Sequence, residues 1–269
     1  MCERRLAMSR AIVGNPSIWI LNLDRGLPVR FTFNMASDVA PVWSPDCSQI
    51  IFSSDRSGTY DLYLKSATGA GSEELLLHTT RNKAAMGWSR DGRFVLYRSP
   101  GATTGFDLWA VPVKGERKPF PVAQTDFDER DGQFSPDGNW VAYQSNEFGS
   151  VEIVVQPFPG PGSKMQISRN GGAQVRWRSD GKELFYIALN GRLMAVPIQL
   201  ASNGRPFEAG EPEPLFQTHV GGAESGGPAS QQYAVSADGQ RFLMNTVATD
   251  VNASPISVIL NWQAGPAGK

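Results

Sequence analysis

The chain has little sulfur or imidazole chemistry to work with. It holds two cysteines, Cys2 and Cys47, and two histidines, His78 and His219. Two cysteines without ligand spacing make neither a disulfide framework nor a metal motif. There is no run of 18 apolar residues and hence no spanning helix, so membrane insertion by this chain is not expected. The N-terminal stretch MCERRLAMSRAIVGNPS is basic but lacks a continuous apolar core, so it does not read as a secretory signal. Neither charge sign dominates: 25 Lys and Arg face 26 Asp and Glu. That balance gives no electrostatic reason to expect nucleic acid or an anionic membrane as partner.

Catalytic motifs are missing as well. There is no G-x-S-x-G, and nothing matches a kinase glycine-rich loop, an H-R-D catalytic loop or D-F-G. GGAESGGPAS (221–230) lacks the Lys of a phosphate loop and reads as a flexible insertion. A Ser-His-Asp triad would have to use His78 or His219, which fall at predicted strand edges and read as structural. TDFDERDG (125–132) gathers Asp126, Asp128, Glu129 and Asp131. However, Arg130 stands where a calcium ligand would be, and Gly132 comes one place late for an EF-hand. It reads as a solvated or ion-paired loop. No cofactor and no metal are expected.

What the chain does have is repetition. A short motif recurs as WSPDC (43–47), WSRDG (88–92), FSPDG (134–138), WRSDG (177–181) and VSADG (235–239). Its period of about 45 residues suits a four-stranded propeller blade. Each copy precedes an apolar strand: IIFSS, FVLYRS, WVAYQS, ELFYIA or RFLMNT. A polar loop and a second β-rich segment follow, such as DLYLK or EIVVQPF, with no helical period. In each motif Gly supplies a positive φ and Asp bonds nearby backbone, so turn chemistry accounts for every aspartate. Cys47 in place of Gly should strain its turn by roughly 1 kcal/mol. Trp43, Trp88 and Trp177 share one repeat position and are expected to pack between blades.

The S-P-D-G turns, the SSDRSGTYDLY segment (53–63) and the repeat length resemble the TolB-like propeller family over essentially the whole chain. The stretches 126–162, 171–187 and 254–262 are most similar to the C-terminal propeller of bacterial receptor-type serine/threonine protein kinases. The resemblance implies a sensor or interaction module, extracytoplasmic within a membrane-anchored parent or cytoplasmic if the chain starts where it does. It makes the chain a fragment whose catalytic domain lies elsewhere.

The expected fold is therefore an all-β, six-bladed TolB-like propeller, with five full blades plus one composite or incomplete blade. Residues 1–32 would be the partial blade, 39–262 the five repeats and 263–269 a tail. The expected function is non-catalytic binding of a protein or peptide by a monomer. The alternative is the accessory propeller of a peptidase or lyase. The motif turns are nearly uniform, whereas the loops after the second strands and the links between repeats vary, and variable loops can carry recognition. The candidate partner-binding residues are Arg56, Tyr60, Arg81, Asn82, Asp128, Glu129, Arg130, Asn146, Glu147, Arg169 and Asn170.

Overall fold

A computed structural model describes residues 2–259 except 3, 13, 102–104, 161, 202–205, 221–230 and 247–255. The 221–230 insertion, Trp262 and the 263–269 tail therefore lie outside the described residues. Among those described there are strands and turns but no helix.

The first sheet has three strands, β1 (Arg5–Arg10), β2 (Ser17–Asn22) and β3 (Pro28–Arg30), in that order. The next contains β4 (Asp38–Trp43), β5 (Gln49–Ser54), β6 (Asp61–Ser66) and β7 (Glu74–Leu77). A third contains β8 (Ala84–Trp88), β9 (Phe94–Pro100), β10 (Phe106–Pro112) and β11 (Phe120–Ala123). A fourth contains β12 (Glu129–Phe134), β13 (Trp140–Ser145), β14 (Glu152–Pro157) and β15 (Met165–Gln166). The fifth joins β16 (Ala173–Trp177), β17 (Glu183–Ile187), β18 (Arg192–Gln199), β19 (Glu208–Ala209) and β20 (Glu213–Gln217). The last joins β21 (Tyr233–Val235), β22 (Phe242–Asn245) and β23 (Ile256–Ile259).

This corrects the expected blade count. Five blades, not six, are built from motif-bearing repeats, and only four of them have four or more described strands. The N-terminal sheet is incomplete in a definite way. Its three strands begin about one repeat before β5, β6 and β7, so among the described residues it holds the second, third and fourth strand positions of a blade and no first. The long spacing before the last motif also has a second source, since β18 is eight residues long and pairs with both β19 and β20.

The chain divides into two compact units, Met1–Phe134 and Ser135–Lys269. In each, the core lies between successive sheets. In the first unit Ile50, Phe52 and Tyr63 pack with Ile18 and Phe31, while their neighbours Ile51, Leu62 and Leu64 pack with Val95, Tyr97 and Val111. In the second, Leu184 and Tyr186 pack with Ile153 and Val175, while Phe185 and Ile187 pack with Tyr233 and Phe242. Alternate residues of one strand thus enter two different cores. A strand buried on both faces reads as an unbroken apolar run, which is why IIFSS and ELFYI show no alternation. The repeat tryptophans are less central than expected. Trp43, Trp88 and Trp177 are half-buried at the margins of these cores.

The motif turns fold on themselves. The Ser89 hydroxyl donates to Asp91 Oδ1 at 2.7 Å, which also accepts the Arg93 N–H at 3.0 Å. The Ser89 oxygen accepts the Phe94 N–H at 2.9 Å, and Gly92 takes φ 75°. The Ser44, Ser135 and Ser236 turns repeat the pattern. Arg178 replaces Ser in the remaining copy and grips Asp180 from Nε at 2.7 Å. Bonds from Ser44 and Ser48 hold Asp46 at about 2, and Arg178 holds Asp180 at about 2. A carboxylate depressed in the folded state stabilises it above its unfolded value, near 3.9, and that contribution fades as pH falls toward 2. Urea midpoints should therefore drop between pH 4 and pH 2, and Asp180→Asn should flatten part of that drop. An acid limb unchanged by the substitution would show that Asp180 is not linked to folding.

Candidate functional site

In three successive repeats the loop after the second strand and the link to the next repeat meet at one corner. At the Lys83 corner, the Lys83 N–H donates to Tyr60 O at 2.8 Å, and the Tyr60 N–H donates to Asn82 Oδ1 at 2.9 Å. At the next, the Phe106 N–H donates to Asp128 Oδ1 at 2.8 Å. A Cβ on Gly105 would come 2.7 Å from Asp128 Cα, so glycine allows this approach. In the second unit the Gly172 N–H donates to Val151 O at 2.8 Å. The variable segments are thus bonded side by side.

Each of these three corners is built around a buried acid at the head of a third strand: Asp61, Asp107 and Glu152, none more than 2% exposed. Asp61 accepts from His78 Nδ1 at 2.7 Å, from Ser57 Oγ at 2.5 Å and from Lys83 Nζ at 2.7 Å. The Lys83 ammonium also donates to Arg81 O at 2.5 Å. Burial raises the Asp61 pKa, but the bonds from His78, Lys83 and Ser57 outweigh it and hold the group below its ordinary value. At Asp107 burial prevails and raises the pKa against a weak 3.4 Å bond from Gln124. Glu152 accepts from Ser168 and Ser150 and from the Gly171 N–H at 3.0 Å.

In a nucleophile relay the imidazole stands between hydroxyl and acid. Here the Asp61 carboxylate stands between Ser57 and His78, an arrangement that ties a loop to a link rather than activating an oxygen. The carboxylates of 125–132 likewise have separate tasks. Asp128 pairs with Arg130 Nε at 2.7 Å and Glu129 accepts from Thr125. Among the described residues no three His, Cys, Asp or Glu side chains are grouped to hold a metal ion.

The predicted binding residues divide by accessibility. Arg81, Asn82, Asn146, Arg169 and Asn170 are exposed, and Tyr60, Asp128, Arg130 and Glu147 are half-buried. Arg169 and Asn170 hold no partner among the described residues. Arg81 Nη1 donates to Pro100 O at 3.1 Å, and Glu147 pairs with Lys164 at 3.1 Å. Arg130 lies 4.7 Å from the Phe106 ring. One predicted residue needs correction. Glu129 is fully buried, so it cannot meet a partner. The Arg56 side chain is 25% exposed, pairs with Asp38 and Glu73, and lies 4.1 Å from the Tyr63 ring centroid. It braces the first unit.

The residues missed were Asp61, Lys83, Asp107 and Glu152. Their signal was available, because an acid heads the third strand in three successive repeats at nearly constant spacing.

The paired cysteines are a further correction. Cys2 and Cys47 form a disulfide with a sequence separation of 45. That separation is one repeat period, so the bond joins equivalent turn positions of neighbouring sheets. Cys47 holds the glycine-type conformation there, with φ 60°.

Comparison with known proteins agrees with this architecture. The family model described as TolB beta propeller domain matches residues 3–118. TolB from Acinetobacter baumannii is similar with a TM-score of 0.66 at 19% identity, over 91% of this chain and 58% of that one. This chain therefore spans under two thirds of that protein's length. A putative TolB from Agrobacterium tumefaciens gives 0.65 at 18% identity, over 80% of this chain and 78% of that one. An oligogalacturonate lyase, solved in complex with manganese, gives 0.62 at 13% identity, over 91% and 68%. The fold is an all-β, TolB-like propeller fold.

Proposed function

We propose that this chain is a non-catalytic interaction or sensor module that recognises a protein or peptide partner through its corner loops. We place it within a longer bacterial regulator of the receptor-type serine/threonine kinase or TolB-like kind, working as a monomer in an extracytoplasmic compartment. The observation that carries the reading is the contrast between the two kinds of loop. The motif turns are near-identical and spend most of their polar groups on themselves. The corners differ from repeat to repeat and present Arg81, Asn82, Asn146, Arg169 and Asn170 to solvent. Arginine beside a half-buried tyrosine is a combination suited to protein recognition. The disulfide supports the compartment, since such bonds persist in oxidising environments.

A second reading, the propeller of a lyase or peptidase, draws on fold similarity alone, which does not fix function.

Peptide-array binding by the intact chain is the test. Joint Arg81→Ala and Arg169→Ala substitution should weaken it at least tenfold, or by about 1.4 kcal/mol. Arg93→Ala with Lys182→Ala, beside the motif turns, should leave it unchanged. Loss only with the second pair would place recognition at the motif turns. Turnover of ATP, peptide or ester reporters, abolished by one substitution in this chain, would make it an enzyme.

A further inference from the structure

Large apolar side chains exposed on the first unit are concentrated around β3. Leu27 is 70%, Val29 66% and Phe33 70% exposed. These side chains do not protrude singly. With Ile20, Arg5, Arg30 and the turn at Ala67–Gly69 after β6 they line one cleft. Among the described residues no carboxylate lines it, whereas the Arg30 and Arg5 side chains do. Arg30 donates from Nε to Thr32 O at 2.8 Å and lies 5.7 Å from the Phe33 ring, with no acidic partner among the described residues. Arg5 lies 4.9 Å from the Trp43 ring. Lys65, above Phe31 and Phe33, is already paired with Glu73 at 3.2 Å.

We propose that this cleft is a docking site for an acidic peptide segment carrying aliphatic or aromatic side chains, supplied by a partner protein. The charge pattern selects the partner. Apolar walls remove Leu- or Phe-type side chains from water, and the Arg30 guanidinium favours carboxylates and disfavours a basic peptide. The polar Asn22 and Thr68, also in the lining, match peptide amides better than acyl chains. This site is separate from the corner loops and stands or falls independently of them.

The test is fluorescence polarisation with a labelled eight-residue peptide alternating Glu with Leu and Phe. The intact chain should bind it saturably. Val29→Glu and Arg30→Glu should each weaken binding at least tenfold, with circular dichroism and melting unchanged. Lys114→Glu, on an exposed turn elsewhere, and the joint Arg81→Ala and Arg169→Ala variant should bind normally. Equal binding of the peptide with Lys in place of Glu, or indifference to both cleft substitutions, would overturn the proposal. So would failure to bind the peptide combined with Val29-dependent binding to phosphatidylglycerol vesicles, which would make the cleft a membrane contact. A concentration-dependent dimer abolished by Val29→Glu, without peptide binding, would assign it to a second copy.

Discussion

Replacing Cys2 and Cys47 together by Ser is expected to lower the stability of the first unit by about 4 kcal/mol, on the loop-closure estimate for a separation of 45. The bond ties the N-terminal sheet, which has three strands among the described residues, to a turn of the first full blade. Opening it frees an element with few other constraints in the unfolded chain. The melting temperature of the first unit should fall by about 10 °C, and reducing agent should do the same to the native protein. A second variant separates the bond from the turn that carries it. Cys47 sits at φ 60°, where glycine carries no steric penalty, so Cys2→Ser with Cys47→Gly should recover about 0.4–1 kcal/mol relative to the double serine variant. Equal melting of oxidised and reduced protein would mean that the disulfide adds nothing to folding. It would also remove the structural support for an oxidising compartment.

Asp61→Ala should cost about 3–5 kcal/mol, because it leaves the Lys83 ammonium buried without a counter-charge. Both side chains are fully covered. Their 2.7 Å pair is the centre of a network that also holds His78 and Ser57. Removing both charges is less harmful than removing one, so Asp61→Asn with Lys83→Met should recover more than half of the loss. Urea melts of the three proteins give the comparison. Asp61 also sets a pH signature. Held below its ordinary value when folded, it stabilises above about pH 4, and the effect is lost as pH falls through its folded pKa. Hydrogen exchange should quicken first at 55–60 and 78–83, the two segments that the pair joins. A loss under about 1 kcal/mol in Asp61→Ala would show that the corner is held by its backbone bonds alone.

The parts of this protein that were legible in its sequence are those decided within a few residues. Asp91 bonds Ser89 and Arg93, each two positions away, so the turn is written wherever S-x-D-G occurs. The strands were equally legible, because IIFSS and ELFYI are apolar on both faces. The repeat period then gave the propeller fold. What tertiary structure decided were the facings of side chains and the neighbours they met. Residues 125–132, which read as one loop in the sequence but in part form β12, offered four carboxylates of equal standing. Packing against the adjacent sheet buried Glu129 and left Asp128 to pair with Arg130. Arg56 looked like a free loop cation until Asp38 and Glu73 were brought to it from 18 and 17 residues away. Lys83 sat inside a variable link but turned inward to Asp61. The two cysteines, 45 residues apart, met because successive blades stack equivalent turns side by side. Local bonding fixes a turn from its own residues, whereas a disulfide, an ion pair or a buried acid needs a partner that only sheet stacking delivers.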